Sequence, residues 1–164
     1  MWVGSARPYP LFHTSMESKL RTSQVHEMVI RGLENAGPDN PKLEALRLTA
    51  KQARDAVYDG DLGALGASMT ANTEGQADLN EALVSSDARA IIEIARAHGA
   101  LGWKVNGAGG DGGSLTLLAG PSMSGKRAML RAIEQANPLF QNIPVYLSRH
   151  GLRVWDESPR PSAT

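Results

Sequence analysis

The 164-residue chain contains no cysteine. Disulfides, thiolate nucleophiles, zinc ribbons and iron–sulfur clusters are excluded together, and the absence fits a reducing cytoplasm. Net charge is missing too, because 17 Lys and Arg balance 17 Asp and Glu. That balance argues against a generally basic nucleic-acid binder. There is no run of five like charges, so no polybasic membrane patch is expected. No apolar stretch approaches the roughly 18 residues of a membrane helix. The first eight residues lack a basic flank before an apolar core, so no signal peptide is expected. The nucleophile-elbow pattern G-x-S-x-G does not occur either.

What remains is ordinary for a soluble globular domain: 41% hydrophobic and 21% charged residues, within the usual range. The length favours one domain. Residues 1–8 read as an irregular lead-in, 9–155 as the domain, and 156–164 as a disordered tail rich in Pro and Ser.

Hydrophobic spacing and caps divide the domain. A candidate strand lies at 9–13. Ser23 suits the N-cap of a helix over 24–35 with Val25, Met28, Val29 and Leu33 as its stripe. Asn40-Pro41 opens a second helix carrying Leu43, Leu46, Ala50, Ala53 and Val57. Asp59-Gly60 ends it, and Asp61 caps a third with Leu62, Leu65, Met69, Gln76 and Leu79 on one face. The tight turn predicts that these two helices form an antiparallel hairpin. Ser85 or Ser86 caps a fourth, in which Ile91, Ile92, Ala95 and His98 precede Gly99. Strands follow at 102–106 and 114–119, then a helix over 126–136. Two short strands, 143–148 and 152–155, flank His150-Gly151 as a hairpin. The expected class is α+β, with a mostly antiparallel sheet of about four strands and helices on one face. Trp103, Trp155 and most methionines are expected in the core.

The strongest chemical feature joins the two middle strands: Gly107, Ala108, Gly109, Gly110, Asp111, Gly112 and Gly113. Five of these seven residues are glycine, more than a plain hairpin needs. Glycines let backbone N–H groups converge without side chains in the way, an arrangement that suits phosphate. A flexible or bulged hairpin is the alternative. Because a strand and not a helix follows, the dinucleotide fingerprint is not expected.

Several motifs are decoys. Residues 120–127, GPSMSGKR, nearly match the P-loop, but Arg127 stands where the magnesium-holding hydroxyl belongs, and Pro121 removes a donor. A turn capped by Ser122 or Ser124 is the simpler reading. His26-Glu27 begins like H-E-x-x-H, yet Ile30 occupies the second histidine's place. His13, His98 and His150 are scattered. Asp55, Asp59 and Asp61 read as a solvated helix end and a cap.

Residues 97–118, AHGALGWKVNGAGGDGGSLTLL, resemble the third motif of the GHMP small-molecule kinases, which include galactokinase, homoserine kinase and mevalonate kinase. The form is most similar to the branch that phosphorylates heptose phosphates and related sugars. Residues 20–27, LRTSQVHE, and the helix with Met69, Asn72 and Gln76 resemble that branch too. The resemblance spans about residues 9–150 and implies the C-terminal lobe of a two-lobed kinase. The N-terminal lobe of such enzymes carries the phosphate-wrapping glycine–serine motif and the catalytic base, and nothing similar occurs here. By resemblance, residues Gly107 to Gly113 would pack against the phosphates of ATP and its Mg2+, and Arg21, Thr22 and Ser23 would lie near a sugar or sugar phosphate. Asp111 replaces a glycine common in relatives, and its carboxylate would repel phosphate unless it points away or meets magnesium.

Three functions follow as expectations. The first is half of a sugar kinase, inactive alone, that docks an N-terminal lobe or self-associates and exposes an apolar patch when isolated. The second is a non-catalytic metabolite-binding or interaction module derived from such a kinase. The third is a remnant without function. No nucleic-acid or membrane partner is expected.

Overall fold

The computed structural model describes residues 11–16, 22–34, 37, 39–107, 113–144, 151 and 154. It is α+β, with four strands and five α-helices among the described residues. The strands are β1 (Leu11–Met16), β2 (Gly102–Asn106), β3 (Gly113–Leu118) and β4 (Gln141–Pro144). They form one antiparallel sheet in the order β2-β3-β1-β4. The helices are α1 (Thr22–Leu33), α2 (Pro41–Asp59), α3 (Leu62–Leu79), α4 (Ser86–Ala97) and α5 (Met123–Ala136). A 3-10 turn at Glu81–Leu83, not expected from the sequence, separates α3 from α4.

Capping chemistry sets the helix ends. Asn40 Oδ1 accepts from Lys42 N at 2.9 Å, with Pro41 at the first helical position. Gly60 closes α2 with φ of +69°, a left-handed conformation in which glycine avoids the Cβ penalty. Asp61 Oδ1 accepts from Ala64 N at 2.9 Å, and Ser85 Oγ from Ala88 N at 3.1 Å. Ser122 rather than Ser124 caps α5, accepting from Gly125 N at 3.1 Å.

Strand alternation separates two faces of the sheet. Trp103 and Val105 of β2 and Leu115 and Leu117 of β3 are buried against Ile91, Ile92 and Ala95 of α4 and Met129 and Ile133 of α5. Lys104, Asn106, Ser114 and Thr116 take the other positions and are half-buried. A satellite cluster joins Val25 and Val29 of α1 to Leu79, Ala82 and Leu83.

The α2–α3 hairpin is present. Asn72 of α3 donates to Thr49 Oγ1 of α2 at 2.8 Å. Of this pair it is α3 that packs closely on the sheet, against β2, and α2 packs chiefly on α3 as an outer layer. That arrangement corrects the expected α2 stripe. Thr49 and Ala56 are its buried residues, whereas Val57 is 62% exposed and Ala50 is exposed. Leu43, Leu46 and Ala53 of the predicted stripe are half-buried, so the seam keeps these three and takes Thr49 and Ala56 in place of Ala50 and Val57.

Further corrections concern boundaries and side chains. Helix α1 starts at Thr22, so Ser23 sits inside its first turn and is not the N-cap. Helix α5 starts three residues before the predicted Lys126, because Ser122 supplies the cap. Strand β4 pairs over Gln141–Pro144, earlier than predicted, and residues 145–150 lie outside the described residues. Met69, Met129 and Trp103 are core, as expected, but Met28 and Met123 are about half exposed (50% and 51%). His98, the expected end of the α4 stripe, is exposed and donates from Nδ1 to Ile94 O at 2.8 Å. Trp155 lies outside the described residues, as do Leu152 and Arg153 of the predicted 152–155 strand, whereas Val154 is described, in no strand and 87% exposed.

Candidate functional site

Strands β2 and β3 lead into and out of the glycine connection. Gly107 has φ of +66° and Gly113 has φ of +104°. Both are conformations that L side chains rarely adopt, so glycine is required at each end of the connection. Among the described residues none beyond its chain neighbours comes within 4 Å of the point where a Gly107 Cβ would stand. Residues Ala108, Gly109, Gly110, Asp111 and Gly112 lie outside the described residues.

The base of the connection is a side-chain clamp. Asn106 pairs with Ser114 across the ladder. Its Nδ2 donates to Ser114 Oγ at 3.1 Å and Thr116 Oγ1 at 2.9 Å, and Thr116 Oγ1 returns a bond to Asn106 Oδ1 at 3.2 Å. These bonds fix the two strand ends from which the glycines depart. Helix α3 reaches the same place. Gln76 Nε2 donates to Gly107 O at 3.5 Å, while its Oε1 is buried with no hydrogen-bond partner among the described residues.

Lys104 pairs across the ladder with Thr116 of the clamp. Its Nζ donates to Val105 O at 3.0 Å, and burial holds its pKa below the ordinary lysine value.

The structure treats the other predicted site residues differently. Thr22 and Ser23 are placed by backbone in the first turn of α1, and Arg21 lies outside the described residues. Register sets Met16, the end of β1, opposite Gly113, so the chain leaves β1 at the glycine end of the sheet before entering α1. The sequence reading missed the clamp. Its signal was present in the polar alternation of Lys104, Asn106, Ser114 and Thr116 against apolar neighbours.

Residues 120–122 are a turn in which Ser122 caps α5, residues 123–127 open that helix, and a cavity of about 170 Å³ lies beside them. Burial first, and the Arg127 guanidinium second, hold Lys126 below its ordinary pKa. Among the described residues no group of three or more His, Asp or Glu could hold a metal ion. No helix among them is long and apolar enough to cross a membrane.

Comparison with known proteins places this architecture. Residues 53–136 match the family model described as GHMP kinases C terminal. The matched segment is half of the chain, and the chain belongs to that family. Among curated proteins none matches. Solved structures do. Mevalonate kinase from L. major, solved with R-mevalonate, superposes with a TM-score of 0.67 at 22% identity, covering 85% of this chain and 43% of that one. The Lin0012 protein of Listeria innocua gives 0.69 at 16% identity, with 87% and 41% covered. Mevalonate kinase from methicillin-resistant Staphylococcus aureus gives 0.56 at 16%, with 86% and 43% covered. At such identities the likeness concerns the fold. The chain spans less than half the length of these proteins.

Proposed function

We propose that the chain is the C-terminal lobe of an ATP-dependent kinase acting on a sugar or sugar phosphate of the heptose type. The carrying observation is the β2–β3 connection, entered and left through glycines at positive φ on a fold of the GHMP C-terminal family. Bound ATP with Mg2+ would supply the transferable phosphoryl group. Gly107 and Gly113 fit phosphate oxygens because their backbone is unobstructed by Cβ atoms, and Ala108, Gly109, Gly110 and Gly112 would extend the same surface. Asp111 would turn away from phosphate or toward the metal. Arg21, Thr22 and Ser23 would border the sugar.

The role of these residues is positioning. Phosphoryl transfer needs alignment and charge stabilisation more than covalent help from the protein. The Asn106 clamp and Gln76 would hold the strand ends so that the glycine backbone meets the phosphates with little ordering left to do. The catalytic base and the main nucleotide-wrapping motif would come from an N-terminal lobe, since the chain spans about 43% of its mevalonate kinase neighbour. Transfer by this chain alone is not expected.

The test is a kinase assay of the chain reconstituted with an N-terminal lobe encoded beside it. Heptoses, heptose phosphates and mevalonate would be offered as acceptors. ATP-dependent phosphorylation of a heptose or heptose phosphate, lost in Gly109→Val and Gly110→Val, is the expected result. Phosphorylation of mevalonate instead would overturn the sugar assignment. Nucleotide binding without turnover of any acceptor would favour a non-catalytic module.

A further inference from the structure

Helices α3 and α4 both rest on β2, and between them runs a groove that the core does not fill. Its volume is about 190 Å³. A single water needs roughly 10–15 Å³ of such space, and sites for drug-sized ligands run to about 300–1,000 Å³. The groove therefore suits a molecule of a few carbons.

Its walls divide by chemistry. Ala77 of α3, Val84, Ile92 of α4 and Trp103 make an apolar floor, and Glu74 of α3 and Arg89 of α4 also line the space. Both Glu74 and Arg89 are exposed, and neither side chain has an ion-pair or hydrogen-bond partner among the described residues. The other rim charges are already committed. Glu93 pairs with Arg96 at 3.2 Å, and the Arg96 guanidinium lies 5.1 Å from the centre of the Trp103 ring. Thr73 is committed too, its hydroxyl bonded to Trp103 O and Val105 N at 3.2 Å each.

These facts narrow the ligand. A phosphate would require excess positive charge, whereas the groove's free charges are one anion and one cation. A sugar brings no charge to complement either side chain, and the one neutral hydroxyl in the lining, that of Thr73, is occupied. One free guanidinium, one free carboxylate and an apolar floor best complement a zwitterion with an apolar side chain. We propose that the α3–α4 groove binds a small α-amino acid with an apolar side chain. Arg89 would take its carboxylate through paired N–H groups, Glu74 its ammonium, and the Ala77–Ile92–Trp103 floor its side chain.

L-leucine is the probe. Equilibrium dialysis on the full chain, at ligand concentrations up to about 10 mM, should show saturable binding. 4-Methylpentanoate, which lacks the ammonium, and isoamylamine, which lacks the carboxylate, should each bind at least about tenfold more weakly. Glu74→Gln and Arg89→Gln, both at exposed positions, should weaken L-leucine binding at least about tenfold. Ala77→Leu should fill the groove and abolish binding while circular dichroism stays unchanged. Should Ala77→Leu fail to fold, the two exposed variants decide. Absence of saturable binding, equal binding of either half-ligand, or unchanged affinity in both Glu74→Gln and Arg89→Gln would overturn the proposal.

Discussion

Gly66 of α3 and Gly102 of β2 meet backbone to backbone. A Cβ added to Gly66 would stand 2.6 Å from Leu101 C, and one added to Gly102 would stand 2.5 Å from both the Cα and the C of Gly66. Neither contact is with the tip of a side chain that could swing away. This approach presses α3 onto the first residue of β2 and sets the helix parallel to the strand that leads to Gly107.

The first prediction follows from that contact. By helix propensity alone, Gly66→Ala would gain about 1 kcal/mol. Overpacking costs about 1–3 kcal/mol even where neighbours can move, and here backbone must move. The clash wins, and Gly66→Ala should destabilise the chain by about 3 kcal/mol or more. Gly75 offers the contrast on the same helix, since its added Cβ would meet Leu46 Cδ2 at 2.9 Å. That methyl ends a flexible side chain, so Gly75→Ala should change stability by no more than about 1 kcal/mol. Urea unfolding of both variants reads the difference, and equal costs would contradict the assigned contact.

The second prediction concerns pH. Burial lowers the pKa of Lys104 in the folded chain. Between that lowered value and the ordinary one, the unfolded chain binds more protons than the folded chain. Stability therefore rises with pH across this window, and below it the burial penalty is fully present. Lys104→Met removes the titration. Relative to this variant, the wild type should gain stability as pH climbs from neutral toward the ordinary lysine value. Urea midpoints measured across that range supply the check, and a relative loss would contradict the burial of Lys104.

How far the sequence discloses such features depends on whether they are local. Caps and turns are local, so Asn40, Asp61 and Ser85 are readable as caps, as is the glycine at the end of α2. Boundaries fail where two serines compete, as at Ser122 and Ser124, or where strand pairing decides, as at β4. Helix α3 shows where periodicity falls short. It is packed by α2 on one side and β2 on another, so Gly66, Ser68 and Thr73 are buried along with Met69, while Leu62, Leu65, Gln76 and Leu79 of the predicted stripe are half-buried. The glycine connection announces itself by composition. Its anchoring does not, because Asn106 and Gln76 acquire their partners only through register and helix placement.

Thr73 carries the last prediction. Strand β2 is an edge strand in the order β2-β3-β1-β4, and its outward groups would template another strand if left open. Thr73 Oγ1 closes this edge by accepting from Val105 N and donating to Trp103 O, both at 3.2 Å. Thr73→Val keeps the shape but strands a buried N–H and a carbonyl, a loss of about 1–3 kcal/mol. Thr73→Ser keeps the hydroxyl and gives up one methyl, about 0.5–1.5 kcal/mol by analogy with Ile→Val. The valine variant should therefore be the less stable of the two, although it is the more apolar. Amide exchange at Val105 should also accelerate in Thr73→Val and hold in Thr73→Ser. If the serine variant proves the less stable, packing rather than hydrogen bonding secures this edge.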